Sequence, residues 1–314
     1  MKRRKSLLTI TILLVLSVFL AACNNNMQFL TGGTGGTYYP LGGELAKIIK
    51  DETGLNVTAI VSNASADNVA DLADGKAQLA FVQTDVMAAA ADGTGAFKDR
   101  GKVTNVLALG SLYPETIQIV TLKDSGIKTV EDLKGKKVSV GAPGSGTYVN
   151  AEQILEIHGM SMSDIQPQNL TFDDSVSGLQ DGNIDAAFIT AGTPTGSVQG
   201  LAATNPINIV TISQDKIDAL VDKYRFYAKD TIAAGTYDGL DSDVTTVAVL
   251  AMIVVSDKLS EDDVYKMTKA IYENTSKISH AKGKLISLDT ALNGVGIKLH
   301  PGAEKYYKEK GILK

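Results

Sequence analysis

The residues best placed to do chemistry lie in two glycine-rich loops, each between a strand-like run and a helix-like run. The first is Gly32-Gly33-Thr34-Gly35-Gly36-Thr37-Tyr38, followed by Tyr39 and Pro40; the second is Gly141-Ala142-Pro143-Gly144-Ser145-Gly146-Thr147-Tyr148. Such loops expose backbone N–H groups at the positive end of a helix dipole, which suits an anion. Glycine lets a ligand approach the backbone, and threonine and serine hydroxyls add donors. The spacing is not the G-x-G-x-x-G of dinucleotide folds, and neither loop carries the lysine of a phosphate-binding Walker loop. Ser145 is not set in G-x-S-x-G and would need a histidine base. The three histidines are His158, at the end of a helical stretch before Gly159, and His280 and His300, in polar surroundings without metal-ligand spacing.

Further polar residues stand where strands of an open α/β sheet end, the usual place for a ligand. Gln83 and Asp85 follow the apolar run from Leu79. Thr190, Gly192 and Thr193 follow the similar run from Ala186, and Ser65 precedes a helical stretch over Asp67 to Ala73. Asp85 fits a helix N-cap as well as a ligand contact. Tyr38, Tyr39, Tyr113 and Tyr148 can supply rings and hydroxyls to a cleft or pack in a core. Arginine, the usual bidentate partner of a carboxylate, is scarce: beyond the leader only Arg100 and Arg225 remain, neither in a candidate loop.

Short apolar strands alternate with amphipathic helices, the pattern of parallel strands joined by crossover helices. Residues 67–75 (DNVADLADG), followed by QLAFV, are echoed by residues 174–182 (DSVSGLQDG), followed by DAAFI. Thr34 to Tyr38 is likewise echoed by Gly144 to Tyr148. Two echoes in the same order predict two lobes of one topology, with the two glycine loops facing each other across a hinge. Chain crossings are expected near Tyr113-Pro114-Glu115 and Val254-Val255-Ser256. That gives residues 23–115 with 257–314 as the first lobe and 116–256 as the second. Ser260 and Asp263 are expected to cap a helix whose apolar face is Val264, Met267 and Ile271.

The N-terminus reads as a leader over residues 1–22: Lys2, Arg3, Arg4 and Lys5, then an apolar run ending Leu20-Ala21-Ala22. The single cysteine, Cys23, follows those small residues as in a bacterial lipobox, and Asn24-Asn25-Asn26 would tether an acylated chain. Without the four basic leader residues the formal charge falls from −5 to −9, which disfavours nucleic acid and anionic membrane surfaces. With Cys23 acylated, no thiol is left for disulfides or metal.

These segments, TGGTGGTYYP over residues 31–40, Ser62-Asn63-Ala64-Ser65, LAFVQTD over 79–85, GAPGSGTYVN over 141–150 and AAFITAGT over 186–193, resemble the TAXI family. Its members are extracytoplasmic solute receptors of TRAP transporters, and the likeness runs along essentially the whole mature chain. The resemblance implies an α/β, two-lobed, type II periplasmic-binding-protein-like fold with a hinge and an interlobe cleft. It implies a receptor without cofactor or catalysis; with the lipobox reading of Cys23, a departure from the family's format, that receptor is expected to be monomeric and lipid-anchored to the outer face of the cell membrane. Its ligand would be a small organic acid or amino acid such as glutamate, glutamine or 2-oxoglutarate, delivered to TRAP membrane subunits. The other TRAP receptor family clamps its ligand carboxylate with an arginine; here backbone amides and hydroxyls would hold it. Two other readings stay open: a surface lipoprotein for adhesion or immune interaction, and a hydrolase using Ser145.

Overall fold

The computed structural model describes residues 26–314; the leader and Cys23 lie outside the described residues. Ten strands form one hydrogen-bonded sheet. They are β1 (Met27–Leu30), β2 (Val57–Ile60), β3 (Leu79–Gln83), β4 (Val106–Leu122), β5 (Lys137–Ser139), β6 (Gln166–Gln168), β7 (Ala186–Ala191), β8 (Ile207–Ile209), β9 (Ala228–Ile232) and β10 (Val244–Ser256). The order is β2-β1-β3-β10-β4-β7-β5-β6, with β8 on β4 and β9 on β10. β1, β2 and β3 run parallel, as do β5, β6 and β7, while β10 is antiparallel to both β3 and β4. The inner strands β3 and β7 are buried at every residue, as apolar strands covered on both faces must be.

The two long strands join the halves. β4 and β10 pair from Val106 opposite Ser256 to Thr116 opposite Ala248, with a register shift between Leu250 and Met252. Leu109, Leu112 and Tyr113 of β4 and Ala251, Ile253 and Val255 of β10 pack with Phe29 and Phe81. Ile117 and Ile119 of β4 and Val247 and Val249 of β10 instead pack with Val138 and Phe188. We therefore propose a division of the lobes between Tyr113 and Ile117 on β4 and at Leu250 on β10. On this proposed division the second crossing would lie earlier than Val254-Val255-Ser256, because Ala251, Ile253 and Val255 of β10 pack in the first-lobe core.

The echoed segments form equivalent elements: helices Ser65–Ala73 and Phe172–Gln180, then β3 and β7. The helix after the first glycine loop begins at Tyr38, two residues before Pro40. The helix Glu261–Glu273 has Ser260 as its cap, the Oγ accepting from Asp263 N at 3.0 Å. With Pro301–Glu309 it covers the first lobe through Val264, Met267, Ile271, Tyr306 and Tyr307. Tyr272 donates its hydroxyl to Ser111 O at 2.6 Å and Tyr307 donates to Leu109 O at 2.9 Å. The two hydroxyls thus close over Gly110, where a side chain would collide with both and lie 3.2 Å from Ala291 O. Gly110→Ala should cost on the order of 1 to 3 kcal/mol through overpacking, read as a lower urea midpoint. Gly33→Ala, which meets nothing within 4 Å, should leave the midpoint unchanged.

Candidate functional site

Between the lobes lies a cavity of about 60 Å³, room for a compact solute at this lobe separation. Four helices begin at its wall, capped by Thr37, Ala64, Ser145 and Thr171. Two belong to each lobe, so positive dipole ends converge from both sides. The Ser145 and Thr171 hydroxyls each accept from the N–H three residues on, at 3.2 Å. Ala64 sits at φ 71°, ψ −147°, a region that costs a non-glycine residue on the order of 1 to 3 kcal/mol. Its amide donates to Ser62 Oγ at 3.2 Å, and this turn sets Ser65 against the cavity. Gln83 N donates to Ser65 Oγ at 3.1 Å, which ties the end of β3 to that helix.

The loops meet across the seam. Gly144 O accepts from Ala66 N at 2.9 Å and Asp67 N at 3.2 Å, so a second-lobe carbonyl caps a first-lobe helix. Thr37 donates its hydroxyl to Gly192 O at 3.3 Å, and Ser197 N donates to Gly35 O at 3.2 Å. Thr34 donates to Asp173 at 2.7 Å. Side chains at Gly35 and Gly146 would collide with Asp173 and Gln83 respectively, while one at Gly36 would press on Phe172 at 3.3 Å. None of these three has a positive φ. Their lack of a side chain makes room for the neighbouring side chains there rather than meeting a conformational demand.

At the centre lies an acid that sequence reasoning passed over as part of a crossing. Glu115 of β4 is 2% exposed, and its Oε2 accepts from Gln83 Nε2 at 3.0 Å. Its Oε1 has no partner within hydrogen-bond range; nor do Gln83 Oε1, Thr190 Oγ1 and the Tyr38 hydroxyl, which line the same cavity. Burial raises its pKa from the ordinary 4.5 to about 8; the Tyr38 hydroxyl and Gln83 amide pull the other way, and the charge of Asp85 adds to the rise. Burial and the charge of Glu115 also push the Tyr38 and Tyr113 phenols well up. The signal available was a single acid inside a strand whose other residues are apolar or neutral.

Of the expected site residues, Gly36, Thr37, Tyr38, Ser65, Gln83, Ser145, Gly146, Thr147 and Thr190 line the cavity. The others do not. Thr34 and Gly35 are spent on the seam. Tyr39, 37% exposed, lies beside Tyr38 on a helix that turns its ring outward, whereas Tyr38 stacks on Phe81 at 4.5 Å. Tyr113 is buried in the first-lobe core. Gly192 lies under the methylenes of buried Lys282, whose Nζ donates to Thr193 Oγ1 at 3.5 Å. Asp85 faces a separate groove of about 1820 Å³ that Arg225 also lines. There Asn150 Nδ2 donates to Asp85 at 3.1 Å and to the Tyr227 hydroxyl at 2.7 Å, and burial raises the Asp85 pKa to about 6. Ser62, Asn63, Thr171 and Phe172 join the lining unforeseen.

The histidines serve helix ends. His158 Nδ1 lies 2.8 Å from Ile154 O, and His280 and His300 accept through Nδ1 from Lys282 N and Gly302 N at 3.2 Å.

Two lobes sharing a sheet, closed over a cavity ringed by helix N-termini, define the periplasmic-binding-protein-like fold. The chain belongs to the NMT1-like family, matched over residues 29–311. A protein of Bordetella bronchiseptica RB50 is 20% identical and superposes with a TM-score of 0.56 over 90% of this chain and 82% of its own. PhnD1 of Prochlorococcus marinus (MIT 9301), solved with methylphosphonate, is 11% identical, with a TM-score of 0.55 over 92% of this chain and 100% of its own. A putative aliphatic sulfonates-binding protein of Escherichia coli (strain K12) is 40% identical over 73 residues, which is 23% of this chain and 23% of that protein.

Glu115 gives a stability prediction. Between pH 4.5 and about 8 the folded chain keeps a proton that the unfolded chain has released. Its contribution is therefore full below pH 4.5 and is lost as pH rises to about 8. Glu115→Gln should match the wild type near pH 4 and exceed it by on the order of a few kcal/mol at pH 9, measured by urea unfolding across that range.

Proposed function

We propose that this chain is an extracytoplasmic solute-binding protein that captures a small carboxylate ligand between its lobes and delivers it to a TRAP-type permease. On this reading Cys23 carries the lipid anchor and the protein catalyses nothing. The observation that supports it most is the convergence of helix N-termini from both lobes on one cavity: the starts at Tyr38, Gly146 and Phe172 face it, while the start at Ser65 has Ala66 N and Asp67 N taken up by Gly144 O. That arrangement offers an anion donors that exist together only when the lobes close. Ser145 spends its hydroxyl on a helix cap and the histidines stand at other helix ends, which weighs against nucleophilic chemistry.

The 73-residue match to an aliphatic sulfonates-binding protein favours a second reading, in which the anionic head is a sulfonate and the partner an ABC-type transporter. A thermal-shift screen of the purified protein separates the two, since a ligand that binds only the folded state raises apparent stability. Small carboxylates and amino acids should give the leading shifts. Shifts from alkanesulfonates alone would transfer the assignment to the second reading, and shifts from sugars, metal ions or nucleotides alone would overturn both. With the leading carboxylate, Thr147→Val should weaken binding by roughly ten- to a hundredfold, the worth of one hydrogen bond to a charged group. Arg225→Ala, altered in the other groove, should bind like the wild type; loss of binding there would show that an arginine holds the anion.

A further inference from the structure

The lobes also touch away from the glycine loops, beside the groove of about 1820 Å³. On the proposed division Asp85 opens a first-lobe helix, and Asn150 stands in the first turns of a second-lobe helix. Both are buried, and Asn150 Nδ2 donates to Asp85 Oδ2 at 3.1 Å. The same nitrogen donates to the Tyr227 hydroxyl at 2.7 Å, which in turn donates to Gln153 Oε1 at 2.6 Å. The Asn150 amide is thereby held in one orientation.

One oxygen is left over on each side of this contact: Asp85 Oδ1 and Asn150 Oδ1 are buried and have no hydrogen-bond partner. Two such oxygens, on groups already joined by a hydrogen bond, are costly. A single proton on Asp85 Oδ1 relieves both costs. A carboxylic acid and an amide pair through two bonds, the acid O–H to the amide oxygen and the amide N–H to the acid carbonyl, and the second is already formed.

The groups around Asp85 supply no positive charge. They are the N–H groups of Asp85 and Val86 at its own helix start, neither of which bonds to Oδ1, Asn150 and the Tyr227 phenol from the second lobe, and the Glu115 carboxyl from β4. Lys223, in the same groove, is taken up by Glu156 at 2.6 Å. Asp92, Glu152, Arg225, Lys229 and Asp230 also line the groove, and none of them is hydrogen-bonded or ion-paired to Asp85 among the described residues.

We infer that Asp85 and Asn150 form a proton-operated latch between the lobes, doubly hydrogen-bonded and favouring closure when Asp85 is protonated, and weakened when it is ionised. This rests on the reading of the lobes as opening and closing on a solute, and not on which solute that is. Burial in the closed form raises the Asp85 pKa from the ordinary 3.8 to about 6; in an open form, with water at the carboxyl, the ordinary value returns. The contribution to closure is therefore full below pH 3.8 and is lost as pH rises to about 6. Between pH 7.5 and pH 5 this proton alone should raise the closed-to-open ratio roughly tenfold.

Asp85→Asn isolates the effect from that of Glu115, whose proton acts over an overlapping range. Its amide is a neutral isostere of the protonated acid and makes both bonds to Asn150 at any pH. The test is small-angle X-ray scattering of the solute-free protein at pH 7.5 and pH 5, read as the ratio of compact to extended form. At pH 5 wild type and Asp85→Asn should match; at pH 7.5 the wild-type ratio should lie roughly tenfold below that of the variant. Equal ratios at both pH values, or the same difference at both, overturn the inference. So does a single form throughout; if solutes nevertheless stabilise the protein, the proposed function stands without the latch. Should Asp85→Asn not fold, the 13C resonance of the wild-type Asp85 carboxyl decides: titration near pH 6 supports the latch, and titration in the ordinary carboxylate range overturns it.

Discussion

The structure depends on one constraint: β4 and β10 are long enough to belong to two cores at once. Each changes hydrophobic partners in mid-strand, near Glu115 on β4 and Leu250 on β10. A residue at that change is covered by both lobes and by the core of neither. Glu115 stands opposite Val249 there, at the centre of the cavity. An acid in either core would be expelled or neutralised; at the crossing it can be buried and still face a ligand.

The polar design around it is divided. Helix starts face the cavity with N–H groups, while the floor formed by the ends of β3, β4 and β7 presents oxygens of Gln83, Glu115 and Thr190. The two sets come from different structural sources. Helix N–H groups come with the α/β repeat and appear in both lobes, so an anion site follows from the architecture. The oxygens belong to individual side chains, which the α/β repeat does not dictate.

This difference sets what could be read in the sequence. The lobes, the facing loops, the Ser260 cap and most of the strands were legible, because they rest on repeated patterns and local periodicity. Within the loops, the choice between neighbours was not. Tyr38 and Tyr39 differ only by the phase of a helix, and Gln83 and Asp85 by the turn from β3 into the next helix, which points one at each of two cavities. Tyr113 and Glu115 share a strand face, yet one lies a pleat deeper in the first core. Gly35, Gly36 and Gly146 looked like ligand-facing glycines, and only the partner lobe shows what they make room for. The second crossing that we propose at Leu250 could not be placed from sequence, because β10 is apolar on both sides of it.

The contacts that close the lobes suit a reversible clasp. They include hydrogen bonds from Thr34 to Asp173, Thr37 to Gly192 O, Ser197 N to Gly35 O, Ala66 N and Asp67 N to Gly144 O, Asn150 to Asp85 and Lys282 to Thr193. Each is worth roughly 0.5 to 1.5 kcal/mol net, and in an open form water would replace it. Such a seam fixes the register of closure without making closure irreversible. A ligand shifts the balance only by its differential affinity for the two forms. Ser65, Gln83 and Glu115 come from one lobe and Ser145, Thr147 and Thr190 from the other, so a solute between them would touch both sets at once.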